Sequence, residues 1–326
     1  MKILVTGATG FIGNYLVNTL LDAGEDVRAL VLPHETIPAA WGGQVDVVRG
    51  DITDRGAVAR ALDDVEMTYH LAAVVGDAGS KQLFQRVTID GTRNLLGEAR
   101  NAGGRVVLVS SIVVYGDKLS SMVCTEDVTH GKPQGFYSWS KQAQEIFAMK
   151  AREKGLAVTI VRPGNVYGVG SKLWVSGVIN ELKRGTPTLI SGGHGNAGLC
   201  HVRNLVDLLY RVGTTPHAVG RTYNALDASD ITWRQYFDDL AAIANTPTPK
   251  SVPLWLAQTL ATIIEPIWRA LPTQSRPPLS QEAINLVGTN HRVPIDRARV
   301  ELGYAPSIPY ADAIREIREW WPSTQR

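Results

Sequence analysis

Tyr137 and Lys141 stand four residues apart in GFYSWSKQAQE, just after Pro133 and Gly135. Residues at that spacing share one face of a helix, so an ammonium can sit near a phenol. Free tyrosine ionises near pH ~10, and a fixed cation beside it favours the phenolate by about a unit or more. A phenol tuned toward neutrality can give a proton to a carbonyl oxygen or take one from an alcohol. The lysine has donors left over for the hydroxyls of a bound ligand. The same spacing also occurs in plain surface helices with a solvated lysine, so the rest of the chain has to decide.

A second stretch supplies an anion site. VTGATGFIG, residues 5–13, follows an aliphatic run and opens an amphipathic one. Gly7 permits a tight turn, Gly10 lets the backbone approach a pyrophosphate, and Gly13 lets helix and strand pack closely. The helix N-terminus offers unpaired N–H groups and partial positive charge to the anion. In a strand–turn–helix setting these glycines indicate dinucleotide binding.

The elements that must position both stretches are short aliphatic runs at 2–7, 26–32, 45–51, 67–73, 105–111 and 156–163, separated by helical patterns at 11–23, 54–62, 81–101 and 137–154. Continuous apolar strands between helices predict a parallel sheet covered on both faces, an α/β doubly wound Rossmann architecture. Residues 1–165 are expected to form the nucleotide-binding domain. Residues 166–326 form a smaller substrate-binding region, from which 201–228 returns to the first domain. The tail helix carries apolar positions at 313–314, 317 and 320–321.

Composition narrows the partners. The 326 residues hold 33 Lys+Arg against 31 Asp+Glu, with no like-charge block, which speaks against nucleic acid. Two cysteines, Cys124 and Cys200, are too few for a disulfide framework and fit a reducing, cytoplasmic setting. The start MKILVTGATG is interrupted too soon by Thr6 and Gly7 for a secretory signal. The histidines lack metal-ligand spacing, so no metal site is expected. The apolar stretch 252–272 is broken by Gln258, Glu265, Pro266 and Arg269, which argues for a buried or lid-forming helix over a spanning one, with surface association as the lesser alternative.

Taken together, TGATGFIG, Asp51 in RGDITD, HLAA at 70–73, SSIVVYG at 110–116, Tyr137 with Lys141, and RPGNVYG at 162–168 resemble the extended short-chain dehydrogenase/reductase family, in its order and over roughly the first 230 residues. The resemblance implies Ser111, Tyr137 and Lys141 as the catalytic set, with the Ser111 hydroxyl on the substrate oxygen; Ser110 is the competing choice. It places Phe11 and Ile12 on the pyrophosphate, Asp51 and Ile52 at the adenine, Leu71, Ala72 and Ala73 along the cofactor, and Pro163 and Val166 near the nicotinamide. Asn165 and Trp174 join Ser111 and Tyr137 as candidate substrate contacts. Where the family often carries asparagine this chain has Thr88, which puts a proton relay through that position in doubt. A homodimer paired through 81–101 and 137–154 is also implied.

An acidic residue ending the second strand would select an unphosphorylated ribose. Val31 stands at that place and Leu32 follows it, without carboxylate or guanidinium, and the balance tips slightly to NADP(H) over NAD(H). His34 or Arg28 could contact a phosphate. HVRNLVDLL and the Trp-rich 252–272 resemble the 3β-hydroxysteroid dehydrogenase-like and dihydroflavonol-reductase-like branch, which implies hydride transfer between a hydroxyl and a ketone on a hydrophobic, steroid-like or polycyclic small molecule. Two alternatives stay open: a nucleotide-sugar epimerase with tightly held NAD, for which Lys172, Arg203 and Arg292 could bind diphosphate, and a dinucleotide sensor without catalysis. Ile112 and Val113 occupy the places where dehydratases carry an acidic pair.

Overall fold

The computed structural model describes residues 1–186, 189–271 and 275–325. Seven strands build one parallel sheet: β1 (Lys2–Thr6), β2 (Asp26–Val31), β3 (Asp46–Arg49), β4 (Met67–His70), β5 (Arg105–Val109), β6 (Val158–Pro163) and β7 (Thr222–Ala225). Their spatial order is β7-β6-β5-β4-β1-β2-β3, a Rossmann-like doubly wound sheet whose order reverses beside β1.

Alternation along the strands explains the two covered faces. Ile3 and Val5 of β1 point into a core shared with α1 (Phe11–Asp22). Leu4 points the other way, into a core with α2 (Arg55–Ala61), α3 (Gly91–Ala102) and α4 (Phe136–Glu153). With every strand parallel, Thr6, His70 and Val109 end at the same edge, in register with Leu30, Thr6 and Val161 respectively. Ligands of open α/β sheets lie outside that carboxyl edge, at the point where the order reverses.

The helix expected over 81–101 is interrupted. Residues Phe84–Asp90 are π-helical between a short turn at Lys81–Leu83 and α3, a local widening that recurs near functional sites. Of the apolar residues expected to pair two copies, Leu95 is fully buried in the sheet core with Val87 and Phe147 packed against it, while Ile146 is exposed.

Beyond β6 the chain forms α5 (Val178–Lys183) and α6 (Val202–Thr214), and α6 returns to cover the sheet beside α1. A second core gathers Tyr167, Ile179, Trp233, Tyr236, Leu240, Ile314, Ile317 and Trp321 from α5, α7 (Trp233–Ala244), α11 (Tyr310–Trp320) and neighbouring loops; α10 (Asp296–Leu302) packs on β7. The apolar tail positions read from the sequence are the ones buried there.

Two further helices, α8 (Leu254–Ala270) and α9 (Gln281–Val287), stand apart. They share a small apolar cluster of Ile190, Ala257, Ala261 and Ile284, and Leu286 and Val287 of α9 pack against the core shared with α1 and the second core, respectively. Of the buried or lid-forming helix expected over 252–272, the buried alternative is corrected here: only Ala257 and Ala261 of α8 are buried, and Trp255, Ile263 and Ile267 are 67%, 56% and 61% exposed. Small alanines on the inner side let the helix lie close while its large side chains face out. Residue 272, the last of that stretch, lies outside the described residues. Among the described residues no helix is long and apolar enough to cross a membrane.

Candidate active site

The glycine loop joins β1 to α1 as its spacing predicts. Gly7 adopts φ +67°, and a Cβ there would stand 2.9 Å from the Ala72 nitrogen. At Gly13 a Cβ would come within 2.1 Å of the Gly7 oxygen, so α1 can start against the loop only with glycine at that turn. Gly10 caps α1 without any side chain, leaving the amides of Phe11 and Ile12 at the helix start free of a side-chain cap. A cradle closed by added Cβ atoms and opened by a helix N-terminus fits a dinucleotide pyrophosphate.

The wall after β4 is held by a chain of hydroxyls that the sequence reading missed. Ala72 N donates to Thr6 Oγ1 at 3.2 Å, and Thr6 Oγ1 lies 2.8 Å from His70 Nδ1. His70 Nε2 lies 2.9 Å from Thr92 Oγ1, whose own proton goes to Thr88 O at 2.6 Å. Thr92 therefore accepts from His70, which fixes a neutral imidazole protonated at Nε2. Burial pushes His70 down to about 3, with the Lys141 charge acting the same way. Thr88, in the π-helical turn, accepts from Val74 N at 3.0 Å. Its hydroxyl thus anchors the loop that follows Leu71, Ala72 and Ala73.

Elsewhere along this edge, Asp51 Oδ1 accepts from Thr53 N at 2.8 Å. Ile52 is buried against Gly91. The carboxylate absent from Val31 is found at Glu35, whose Oε2 accepts from Thr9 Oγ1 at 2.7 Å and from Leu32 N at 3.3 Å. Arg49 meets the same turn through the carbonyls of Leu32, Pro33 and Glu35. Arg28 is committed elsewhere, to Asp46 at 2.6 Å and to carbonyls ending α2, and His34 is exposed.

Ser111 follows β5 in extended backbone and caps the next turn, accepting from Val113 N at 3.3 Å. Its side chain also approaches the Tyr137 phenol closely enough to favour the phenolate. Ser110 faces the other way, toward the Glu145 carboxylate, and that contact helps keep Glu145 charged although it falls outside good hydrogen-bond geometry. The structure thus brings Ser111, not Ser110, to Tyr137.

Tyr137, Lys141 and Glu145 line one face of α4. Lys141 is buried, with Nζ donating to Val109 O at 3.0 Å and standing 5.9 Å from the Tyr137 ring centre. Burial pushes Lys141 down to about 8, opposed by the Glu145 charge. Glu145 keeps its charge, held at about 2 despite burial by His130, Arg162 and Ser110. The Arg162 guanidinium grips it at 2.9 and 2.7 Å. The phenol differs from the sequence expectation: burial pushes Tyr137 up to about 12, Ser111 pulls it down, and Glu282 pushes it further up. The ammonium approaches the ring and a backbone carbonyl, so in this state desolvation outweighs its pull on the hydroxyl.

Pro163 ends β6 and Val166 follows in the short strand Asn165–Tyr167, paired with Leu199–His201. Asn165 is buried and donates to Ala197 O at 2.7 Å. Trp174 stacks at 5.2 Å on Trp233, and its carbonyl accepts from Tyr236 at 2.6 Å. The Trp174 side chain packs against the second core.

Known proteins share the sequence pattern and the fold. The family profile described as NAD dependent epimerase/dehydratase family matches residues 3–225. Sterol demethylase protein B of Methylococcus capsulatus is 30% identical over 340 residues, covering 98% of this chain and 99% of that protein. A 4-hydroxy-2-methyl-3-oxo-4-farnesyl-3,4-dihydroquinoline-1-oxide ketoreductase of Stigmatella aurantiaca is 26% identical over 335 residues, covering 100% and 98%. The solved structure of MoeE5 in complex with UDP-glucose and NAD shares the fold, with TM-score 0.76 and 23% identity over the whole of both chains. The chain belongs to the NAD dependent epimerase/dehydratase family and is an NAD(P)-dependent enzyme of the extended short-chain dehydrogenase/reductase type.

Proposed function

We propose that the enzyme interconverts a hydroxyl and a ketone on a hydrophobic small molecule, with Tyr137 as acid/base, Ser111 on the substrate oxygen and Lys141 holding ribose hydroxyls. The observation that carries this reading is the convergence of Ser111, Tyr137 and buried Lys141 at the carboxyl edge of the sheet, with Lys141 on the Val109 carbonyl and beside the Tyr137 ring. When bound, the nicotinamide supplies or accepts the hydride. The residues do the rest. A phenol pushed up to about 12 is protonated at neutral pH, so Tyr137 is ready to donate to a carbonyl oxygen, while Ser111 supports the charge developing there. Gly7, Gly10, Phe11, Ile12 and Gly13 would hold the pyrophosphate, Asp51 and Ile52 the adenine, Leu71, Ala72 and Ala73 one wall, and Pro163 and Val166 the nicotinamide side. Residues 1–165 with 201–228 make up the nucleotide half in this reading, and Asn165 and Trp174 support the substrate side.

A ketone is the group acted on by the Stigmatella relative, and the name of the Methylococcus relative carries a sterol; both support a hydrophobic substrate. So does Val75, 59% exposed on the loop after β4. The epimerase reading loses support at Arg203, which is engaged by Glu316. For the nucleotide, Glu35 beside Thr9 changes the balance reached from Val31 alone: a carboxylate at the adenosine side repels a 2′-phosphate, and NAD(H) is the preferred form in this reading. A cytoplasmic homodimer is carried forward from the sequence reading as part of this proposal.

The test is thermal denaturation with NAD, NADH, NADP and NADPH, followed by a ketone and alcohol panel with the stabilising form. Binding to the native state raises the melting temperature by mass action. NADH should shift it most, and Glu35→Ser should narrow the gap to NADPH. A larger shift by NADPH in the parent would reject the NAD(H) preference. Nucleotide retained through purification, with sugar-nucleotide turnover, would favour the epimerase.

A further inference from the structure

Glu282 lies 144 residues from Ser138 in sequence, yet its Oε2 accepts from Ser138 N at 3.3 Å and from Ser138 Oγ at 2.9 Å. That amide belongs to the peptide bond joining Tyr137 to Ser138, so the carboxyl holds the backbone from which the phenol projects. The approach requires Gly135, because a Cβ there would stand 2.4 Å from the same oxygen. Glu282 is 4% exposed. Its place at the first turn of α4 suits an acceptor, since the opening amides of a helix lack partners within it.

The helix that carries Glu282 is tied down by polar contacts converging on the same spot. Ser280 caps α9 through Ala283 N at 3.1 Å and donates to Asp77 Oδ2 at 2.6 Å. Asp77 pairs with Arg276 at 2.8 Å. Glu265 of α8 accepts from Gln281 N at 2.9 Å and binds Arg269, whose guanidinium lies 4.2 Å from the Phe136 ring centre. Asn285 reaches Gly116 O at 2.9 Å. These polar contacts act beside the apolar packing of Ile284, Leu286 and Val287 in holding the pair.

We propose that Glu282 is a positioning residue for Tyr137: its carboxyl clamps the Tyr137–Ser138 peptide, so that the proton donor is fully oriented only when the α8–α9 cap is seated. This rests on the reading of Tyr137 as acid/base. It extends that reading by making a distant carboxyl part of proton delivery and by coupling cap closure to it. The charged groups around Glu282 are Asp77 from the loop after β4 and Glu265 from α8, each with an arginine partner. Burial, Asp77 and Glu265 push Glu282 up to about 7, against the Ser138 hydrogen bonds. Ionised Glu282 in turn keeps the phenol protonated.

The experiment follows tyrosine ¹³Cζ resonances by NMR in the full chain, the Tyr137 signal being assigned by its loss in Tyr137→Phe. The signal should show a step with a midpoint near 7 that is absent in Glu282→Gln, where only the step of Lys141 near 8 remains. A parent signal whose titration is unchanged in Glu282→Gln would overturn the proposal whatever the substrate proves to be. In turnover, Glu282→Ala should lower kcat about 10-fold or more with KM for nucleotide unchanged, in line with the cost of misplacing a reacting group by about an ångström. Glu282→Gln, which keeps an acceptor, should recover much of the loss while removing the pH step. An unaltered kcat and pH profile in Glu282→Ala would also overturn it. If the alanine variant does not fold, Glu282→Asp and the parent NMR titration decide. Loss of activity in Tyr137→Phe with none in Glu282→Ala would reject the clamp and leave the acid/base reading intact.

Discussion

The two ends of the site are built differently. At the glycine loop, backbone geometry and apolar burial do the holding: Gly7 and Gly13 admit no Cβ, and β1 sends Ile3, Leu4 and Val5 alternately into two cores. At the α8–α9 cap a few carboxylates, serines and an arginine do it, over a cluster of four buried residues. Burying a large aliphatic side chain contributes about 1.5–3 kcal/mol, whereas a typical hydrogen bond contributes about 0.5–1.5 kcal/mol net. The nucleotide side rests on the larger apolar cores, and the α8–α9 cap relies more on polar contacts. Low local stability is common in elements that close over a ligand.

That contrast can be broken in order of expected effect. Gly13→Val drives a side chain into the Gly7 carbonyl, so the nucleotide-induced rise in melting temperature should vanish and overpacking should cost about 1–3 kcal/mol; a normal nucleotide shift in the variant would contradict the cradle. Leu95→Ala, fully buried on the sheet, should destabilise by about 2–5 kcal/mol in urea titration. Trp255→Ser on the open face of α8 should stay within about 0.5 kcal/mol. A large loss at Trp255 would mean that something covers this face in solution.

Acid separates the two regions by sign. His70 is pushed down to about 3, and His201 and His291 to about 4, from an ordinary 6.5. Their contribution is complete above 6.5 and is lost as pH falls through those values. Glu282 is raised to about 7 from 4.5, so its contribution is complete below 4.5 and is lost as pH rises through 7. Melting temperature should fall between pH 6.5 and 4, and fall more steeply in Glu282→Gln, which lacks the compensating protonation. An equal slope in both proteins would contradict the assignment to Glu282.

What was legible in the sequence follows the same division. The glycine spacing, the strand alternation and the Tyr137–Lys141 turn are local patterns, each dictated by residues a few positions apart. The choice of Ser111 over Ser110 likewise rests on local spacing within SSIVVYG. Glu35 escaped because a turn, not a strand end, delivers its carboxylate to Thr9. Glu282 escaped because a contact spanning 144 residues leaves no spacing to read. The Trp-rich stretch 252–272 is part of the resemblance implying a hydrophobic substrate, but Trp255 faces outward and Trp268 donates to Ser275 O at 3.2 Å. Apolar composition alone cannot tell an inner helix face from an outer one when small alanines make the contact.

The central claim is that the Tyr137 hydroxyl supplies the proton when a ketone is reduced. Single-turnover absorbance at about 340 nm, with reduced nucleotide prebound and a ketone added, measures that step in the parent and in Tyr137→Phe. The account predicts an unchanged nucleotide affinity and a rate lowered about 10²–10⁴-fold. A phenylalanine variant that consumes reduced nucleotide at the parent rate would contradict it.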